Sequence, residues 1–294
     1  MHQADAQESR KTFLLGLGAQ KAGTTWMYSY LQRSPQFAHG YFKEYHVFDC
    51  IDVPLQQWNR RKVFRLASEE SLKALDGERA EARKIHRASM VLQPKHYFNY
   101  FDALSRARDE TRLVADVTPD YALLPQSRLE NIRDSFAERG LRTAAVFLLR
   151  DPVDRTYSQI RMQQGRQPDR FPAPAEQVIS TIHTDEIYAA RSRYEDTIER
   201  LDSVFDPKDL HFEFYETLFT SSAVKRLCDF LGIETIDADF NDKRNVSRPV
   251  ANGGLDENIV ADIAHYLAPT YAAVARRFPK QDLTEIWPSA RHVL

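Results

Sequence analysis

The sequence predicts an α/β fold: a single domain on about five mainly parallel strands, with helices on both faces and a helical insertion. Three observations carry this. Short apolar runs alternate with helical patterns along most of the chain, the mark of a sheet covered by its own crossovers. The most hydrophobic run, residues 143–149, is continuous rather than alternating, as a central strand buried on both faces must be. The first run, residues 13–18, stops at glycine and is followed directly by a helical stretch, the opening of an α/β unit that can hold a nucleotide.

A length of 294 residues exceeds the usual ~150 per domain, yet single α/β domains reach this size. With 43% hydrophobic residues the chain can build a sizeable core. Basic and acidic residues number 40 and 42, so the net charge is −2 and no global field draws the chain to nucleic acid or an anionic membrane. Any anion it binds must be met locally. Cys50 and Cys228 are too few and too far apart for a disulfide framework or a metal-ligand motif. No apolar stretch is long enough to span a bilayer, and no leader-like segment opens the chain, so a soluble cytoplasmic protein is expected. Residues 1–10 read as a flexible tail and 11–294 as the domain.

Taken in order, residues 13–18 form the first strand and residues 24–32 the first helix. Residues 37–48 read as a second strand edge leading into a loop. The third strand, 112–116, is closed by Thr118-Pro119, since the residue before proline is pushed into extended geometry. Residues 143–149 make the fourth strand, and 210–215, which alternate, a fifth nearer an edge. Helical patterns fall at 128–139, 152–164, 192–205, 222–231 and 257–277. Between them, residues 54–96 read as a helical insertion beside the strand edges, on the acceptor side of any site there. Its 58–95 stretch holds ten basic and five acidic residues, which serve either as solvated helix faces or as a hold on an anionic acceptor.

Two stretches carry the chemistry. Gly18-Ala-Gln-Lys21-Ala22-Gly23-Thr24-Thr25 joins a strand to a helix, the setting in which glycines let the backbone approach an anion and the helix start offers N–H groups to it. It is P-loop-like without being a Walker loop, because threonine, not lysine, follows Gly23 and the lysine sits inside the loop. The second stretch, Arg150-Asp151-Pro152 to Ser158, begins where the most hydrophobic strand ends. Asp151 can cap the next helix, Pro152 suits its first turn, and Arg155 and Ser158 share a helical spacing.

With these residues the chain resembles the sulfotransferases that use 3′-phosphoadenosine 5′-phosphosulfate (PAPS), closest in motif to the carbohydrate and heparan-sulfate type. Residues 18–26 match the 5′-phosphosulfate loop and residues 150–158 the 3′-phosphate motif. Lys43-Glu44-Tyr45-His46-Val47-Phe48-Asp49 is similar to the Lys-Glu-Pro-His-Phe-Phe-Asp segment, Asp116-Val-Thr-Pro-Asp-Tyr121 to a Glu-Lys-Thr-Pro segment, and Tyr215-Glu-Thr-Leu218 to the Tyr-Glu-Asp-Leu end of a late strand. Two departures stand out: Tyr45 replaces the proline, and Val117 replaces a lysine, leaving none there to touch an acceptor.

The resemblance implies that Lys21, Ala22, Gly23, Thr24, Thr25 and Trp26 hold the 5′ end of the donor. Arg150 and Ser158 would grip its 3′-phosphate, Tyr215 would lie near the adenine, and Asn245, Ser247 and Arg248 would touch phosphate. Lys21 would stabilise the leaving phosphate oxygen and Glu44 would be the general base, with His46 as the other candidate; Asp49 is a helix cap or a partner to His46. Lys43, His46, Thr118 and Tyr121 fall on the acceptor side. PAPS would be the donor and adenosine 3′,5′-bisphosphate the product, with no metal required. The acceptor hydroxyl is expected on a glycan or a lipid head group, and Tyr97, Phe98, Tyr100 and Phe101 either stack against a sugar or belong to the core. A P-loop kinase or NTPase, with residues 113–116 as a metal-binding strand, and a non-catalytic nucleotide-binding protein are the alternatives.

Overall fold

A computed structural model describes residues 11–240 and 254–294; the expected tail, 1–10, lies outside the described residues. The sheet has four strands, β1 (Thr12–Gly18), β2 (Leu113–Val117), β3 (Arg142–Leu149) and β4 (Leu210–Phe214), in the order β2-β1-β3-β4 with every pairing parallel. β1 and β2 are buried along their whole length and β3 at all but its first residue, which is why these strands read as mainly apolar runs, with Asp116 of β2 the buried acidic exception.

The strand expected over residues 37–48 does not form. Within residues 37–48 only Phe37 makes an isolated parallel bridge, to Leu113. The rest crosses the sheet end as a loop held by side chains, with Tyr45 N–H donating to Asp116 Oδ1 at 3.2 Å and Val47 N–H to Tyr121 Oη at 3.1 Å.

Between β1 and β2 lie α1 (Thr24–Leu31), α2 (Phe48–Asp52), α3 (Gln57–Leu75), α4 (Ala82–Leu92) and α5 (Lys95–Ser105); α6 (Gln126–Ala137) precedes β3 and α7 (Pro152–Arg166) follows it. The pattern at 257–277 is two helices, Glu257–Tyr266 and Ala268–Arg277, because Pro269 lacks the N–H a continuous helix needs and instead opens the second.

The core is aromatic where α5 and α6 meet the sheet. Phe13 stacks on Phe136 at 3.9 Å and meets Phe101 edge-on at 5.0 Å. Tyr97, Phe98 and Phe101 are buried here and so are core residues, while Tyr100 stays half-buried. In the insertion, α3 and α4 pair much of their charge between themselves. Glu70 accepts from Lys73 (3.1 Å), Lys84 (3.0 Å) and the Glu81 N–H (2.8 Å).

From β1 the chain passes to β2 on one side and then crosses to β3 on the other. The strand order therefore switches between β1 and β3, and the crevice beyond their carboxyl ends is where ligands bind in open α/β sheets. The loop after Gly18 and the turn at Arg150 both leave from that point.

Candidate active site

Beyond β1 the loop turns through left-handed backbone at Lys21 (φ 72°) and Gly23 (φ 90°). A Cβ at Gly23 would come within 2.7 Å of Leu218 Cδ2 and 3.2 Å of Tyr215 Cδ2, so glycine is required on both counts. α1 begins at Thr24 with no side-chain cap and no acidic residue in its first turn, leaving its N–H groups and positive dipole end for an anion. Arg150 Nη1 donates to the Lys21 carbonyl at 2.9 Å, and its guanidinium lies 4.5 Å from the centre of the Tyr215 ring. Burial, and the neighbouring Arg150, Arg166, Arg161 and Lys43, lower the Lys21 ammonium to about 8. At neutral pH the ammonium is still mostly protonated, and an incoming anion stabilises it further.

These groups line a cavity of about 1140 Å³. Trp26, Tyr215, Phe219 and Phe240 line part of it. Trp26 lies 6.0 Å from Phe240 with rings nearly parallel, and its indole N–H donates to the Asp239 carbonyl at 3.3 Å. Such an aromatic wall suits a purine, and Ser158, buried on α7, also lines the cavity. Asp151 caps α7 by accepting from Val153 N–H at 3.0 Å, as its position implied. Arg155 turns the other way: it is buried against Ser192, Gln159 and the Tyr188 carbonyl and plays no part in the cavity, despite its spacing from Ser158.

The base candidates lie on the segment that follows α1, residues 43–49. Lys43 Nζ bonds both Glu44 Oε1 (2.7 Å) and Thr24 Oγ1 (3.2 Å), tying this segment to the start of α1. Glu44 Oε2 is 3.3 Å from His46 Nε2, and His46 Nδ1 is 2.7 Å from Asp49 Oδ2. Glu44 and His46 meet through a turn, with His46 in left-handed backbone (φ 50°), not through the alternation of an extended segment. Asp49, completely buried, is the partner of His46.

Burial alone would raise Glu44, but hydrogen bonds from His46 and Lys43 and their charges hold it at about 2. Burial would lower His46, but Asp49 and Glu44 raise it to about 10. At neutral pH Glu44 is a carboxylate and His46 an imidazolium, and of the three residues only Glu44 lines the cavity. His46, Asp49 and Asp120 bring ligand-type atoms within 4.8 Å of one another, but Arg191 already pairs with Asp120 at 2.6 Å.

Thr118 and Tyr121, expected toward the acceptor, are buried and turned inward. Both hydroxyls donate to Asp116, at 2.6 and 2.9 Å, and Tyr97 Oη and Tyr45 N–H complete its shell. Asp116, raised to about 6 by burial against these donors, is the post on which residues 45–47 are hung: Thr118 Oγ1 accepts from His46 N–H and Tyr121 Oη from Val47 N–H. Their short spacing to Asp116 is readable in the sequence, but not the direction they face. Asn245, Ser247 and Arg248 lie outside the described residues. No residue of 54–96 lines the cavity. Asp120, Tyr157, Arg161, Met162, Arg166 and Glu216 do, unforeseen. The α7 members among them continue the spacing of Asp154 and Ser158 and could have been found from it.

A parallel α/β sheet whose switch-point crevice presents an anion-ready glycine loop, a strand-end arginine and an aromatic wall offers a site suited to an anionic ligand with a flat ring. A family model described as "Sulfotransferase family" matches residues 14–237, and the chain belongs to that family of enzymes. No curated protein matches the chain. Among solved structures, it is similar in fold to a sulfotransferase from Alicyclobacillus acidocaldarius, at 18% identity and a TM-score of 0.60, covering 92% of this chain and 96% of that one. Looser overlaps are found with a sulfotransferase domain from the curacin biosynthetic pathway (17% identity, TM-score 0.43, 88% and 97% covered) and one from the Synechococcus PCC 7002 olefin synthase (16%, 0.39, 88% and 94%). Among the described residues no helix is long and apolar enough to cross a membrane.

Proposed function

We propose that the chain moves a sulfuryl group from PAPS to an acceptor hydroxyl, on a glycan or a lipid head group, with Glu44 as general base and Lys21 stabilising the leaving phosphate oxygen. The observation that carries this reading is that Glu44 and Lys21 line one cavity, with Lys43 bridging Glu44 to Thr24 at the helix start.

The residues fit such a donor. Lys21, the loop amides of Ala22 and Gly23, and Thr24 and Thr25 meet a 5′-phosphosulfate. Arg150 and Ser158 meet a 3′-phosphate, and Trp26 and Tyr215 flank a base. When bound, the donor supplies a sulfuryl group on a good leaving phosphate. Such a group passes with little bonding to either oxygen, so by analogy with phosphoryl transfer the protein has to align the reactants and neutralise charge.

Lys21, in a partly buried setting crowded with cations, gains most when negative charge grows on the bridging oxygen. Glu44, held ionised by His46 and Lys43, receives the hydroxyl proton. A carboxylate this weakly basic takes it only as the new S–O bond forms, when the hydroxyl becomes strongly acidic. His46 keeps its proton and positions Glu44, with Asp49 behind it. The two cysteines are buried free thiols, in keeping with a reducing, cytoplasmic setting.

Incubation with PAPS labelled in the sulfuryl group and fractionated cell extract tests this. Label moving to a hydroxyl-bearing product without added metal supports it. Label staying on the nucleotide, or a preference for ATP over adenosine 3′,5′-bisphosphate, contradicts it.

A further inference from the structure

Beyond the residues that match the family model, 14–237, the end of the chain folds back onto the turn that carries Arg150. Trp287 is completely buried, its ring 5.5 Å from Phe214, 5.8 Å from Tyr271 and 6.0 Å from Tyr194. Its indole N–H donates to Glu216 Oε2 at 3.1 Å. Ser289 N–H donates to Asp151 Oδ2 at 3.2 Å, and Ser289 Oγ lies 2.6 Å from both oxygens of that carboxylate. Asp151 and Glu216 are joined in turn, because the Asp151 N–H donates to Glu216 Oε1 at 3.0 Å. Tyr194 Oη, donating to the Arg150 carbonyl at 2.8 Å, closes the frame.

This frame fixes two opposite charges at one place. Arg150 and Glu216 both line the cavity and flank Tyr215, whose ring lies under the guanidinium and which Glu216 follows in the chain. Arg150 Nε is buried and makes no hydrogen bond among the described residues, so part of its donor fork is left for a ligand. Glu216 is exposed to the same space. A carboxylate free to rotate there would pair with the guanidinium and take the place of an incoming phosphate. Instead the acid nearest Arg150 is Asp154, at 3.8 Å, and each oxygen of Glu216 already accepts an N–H. One of those donors is the backbone of Asp151. The other is Trp287.

We propose that Trp287 and Ser289 are positioning residues for the donor's 3′-phosphate: Trp287 pins Glu216 away from Arg150, Ser289 fixes the Asp151 carboxylate, and the guanidinium is left to read the phosphate. The proposal rests on the reading that places a 3′-phosphate at Arg150. It adds that the chain end, which lines no part of the cavity, sets the preference for a nucleotide carrying that phosphate.

Calorimetric titration with adenosine 3′,5′-bisphosphate and with adenosine 5′-phosphate tests this, since the two ligands differ only in the 3′-phosphate. The wild type prefers the bisphosphate by at least about tenfold, as expected of charge-assisted hydrogen bonds. Trp287→Phe keeps a ring in the core but removes the N–H. Its bisphosphate affinity falls about tenfold, while its affinity for the 5′-phosphate stays within about twofold. Adding E216Q, which takes away the competing charge and keeps an acceptor for the Asp151 N–H, restores most of the loss. Ser289→Ala shows the same selective loss.

Equal losses for both nucleotides reduce the two residues to packing and overturn the proposal, as does a loss in Trp287→Phe that E216Q leaves in place. If Trp287→Phe does not fold, Ser289→Ala decides, and an unchanged preference there overturns the proposal. A wild type with no preference for the bisphosphate removes the 3′-phosphate from Arg150, which sinks the donor reading and the proposal together. A wild-type preference that neither variant alters leaves the donor reading standing and overturns the positioning role alone.

Discussion

Glu44 Oε2 lies 3.3 Å from His46 Nε2, and this contact holds a carboxylate ionised at the edge of the cavity with an imidazolium behind it. The two residues have different tasks: Glu44 faces the cavity, whereas His46 is fixed by Asp49 and orients its neighbour.

His46→Gln takes away the charged donor to Glu44, whose pKa then rises from about 2 toward the usual carboxylate range. The acid limb of the kcat/KM profile, absent above pH 4 in the wild type, moves up to about pH 4–5 in the variant. A profile with no shift assigns His46 a purely structural role.

His46 also links stability to pH. Its folded-state pKa, about 10, exceeds the ~6.5 of an unfolded histidine, so its contribution is complete below about pH 6.5 and lost as pH rises toward 10. Denaturant midpoints measured from pH 6 to 10 fall in the wild type, and less steeply in His46→Gln.

Lys21→Ala removes the cation at the leaving oxygen while Arg150 and the loop amides remain. kcat falls by about 10²–10³, and the affinity for adenosine 3′,5′-bisphosphate falls by less than about tenfold. Single-turnover rates with calorimetric titration separate the two; an equal loss in both makes Lys21 a binding residue only.

Gly23→Ala forces a side chain into left-handed backbone and drives its Cβ to 2.7 Å from Leu218. The loop must shift, and bisphosphate affinity drops at least tenfold with little change in the far-UV circular dichroism spectrum. Unchanged affinity removes this loop from the donor site.

How much of this was legible in the sequence follows from how local each feature is. The loop at 18–25 and the turn at 150–158 are written in consecutive residues, so their placement at strand ends could be read directly. Residues 37–48 look like a strand because they are aromatic and apolar, but their backbone is held by Asp116 and Tyr121, more than 70 residues away, and no local pattern reports that. Thr118 and Tyr121 look like surface polar groups until Asp116 is seen to claim both hydroxyls. The insertion's net charge is readable, whereas its internal pairing around Glu70 is a product of α3 packing on α4. Arg161 and Arg166 were within reach, since they continue the spacing of Ser158, yet only the folded cavity shows that they line it.

The central claim, that Glu44 takes the acceptor proton, is tested most directly by the turnover of Glu44→Gln with labelled PAPS and the acceptor found in extract. Transfer falls by about 10²–10⁴, the usual worth of a general base, with bisphosphate affinity unchanged. Turnover at the wild-type rate would contradict the claim and pass the role to His46.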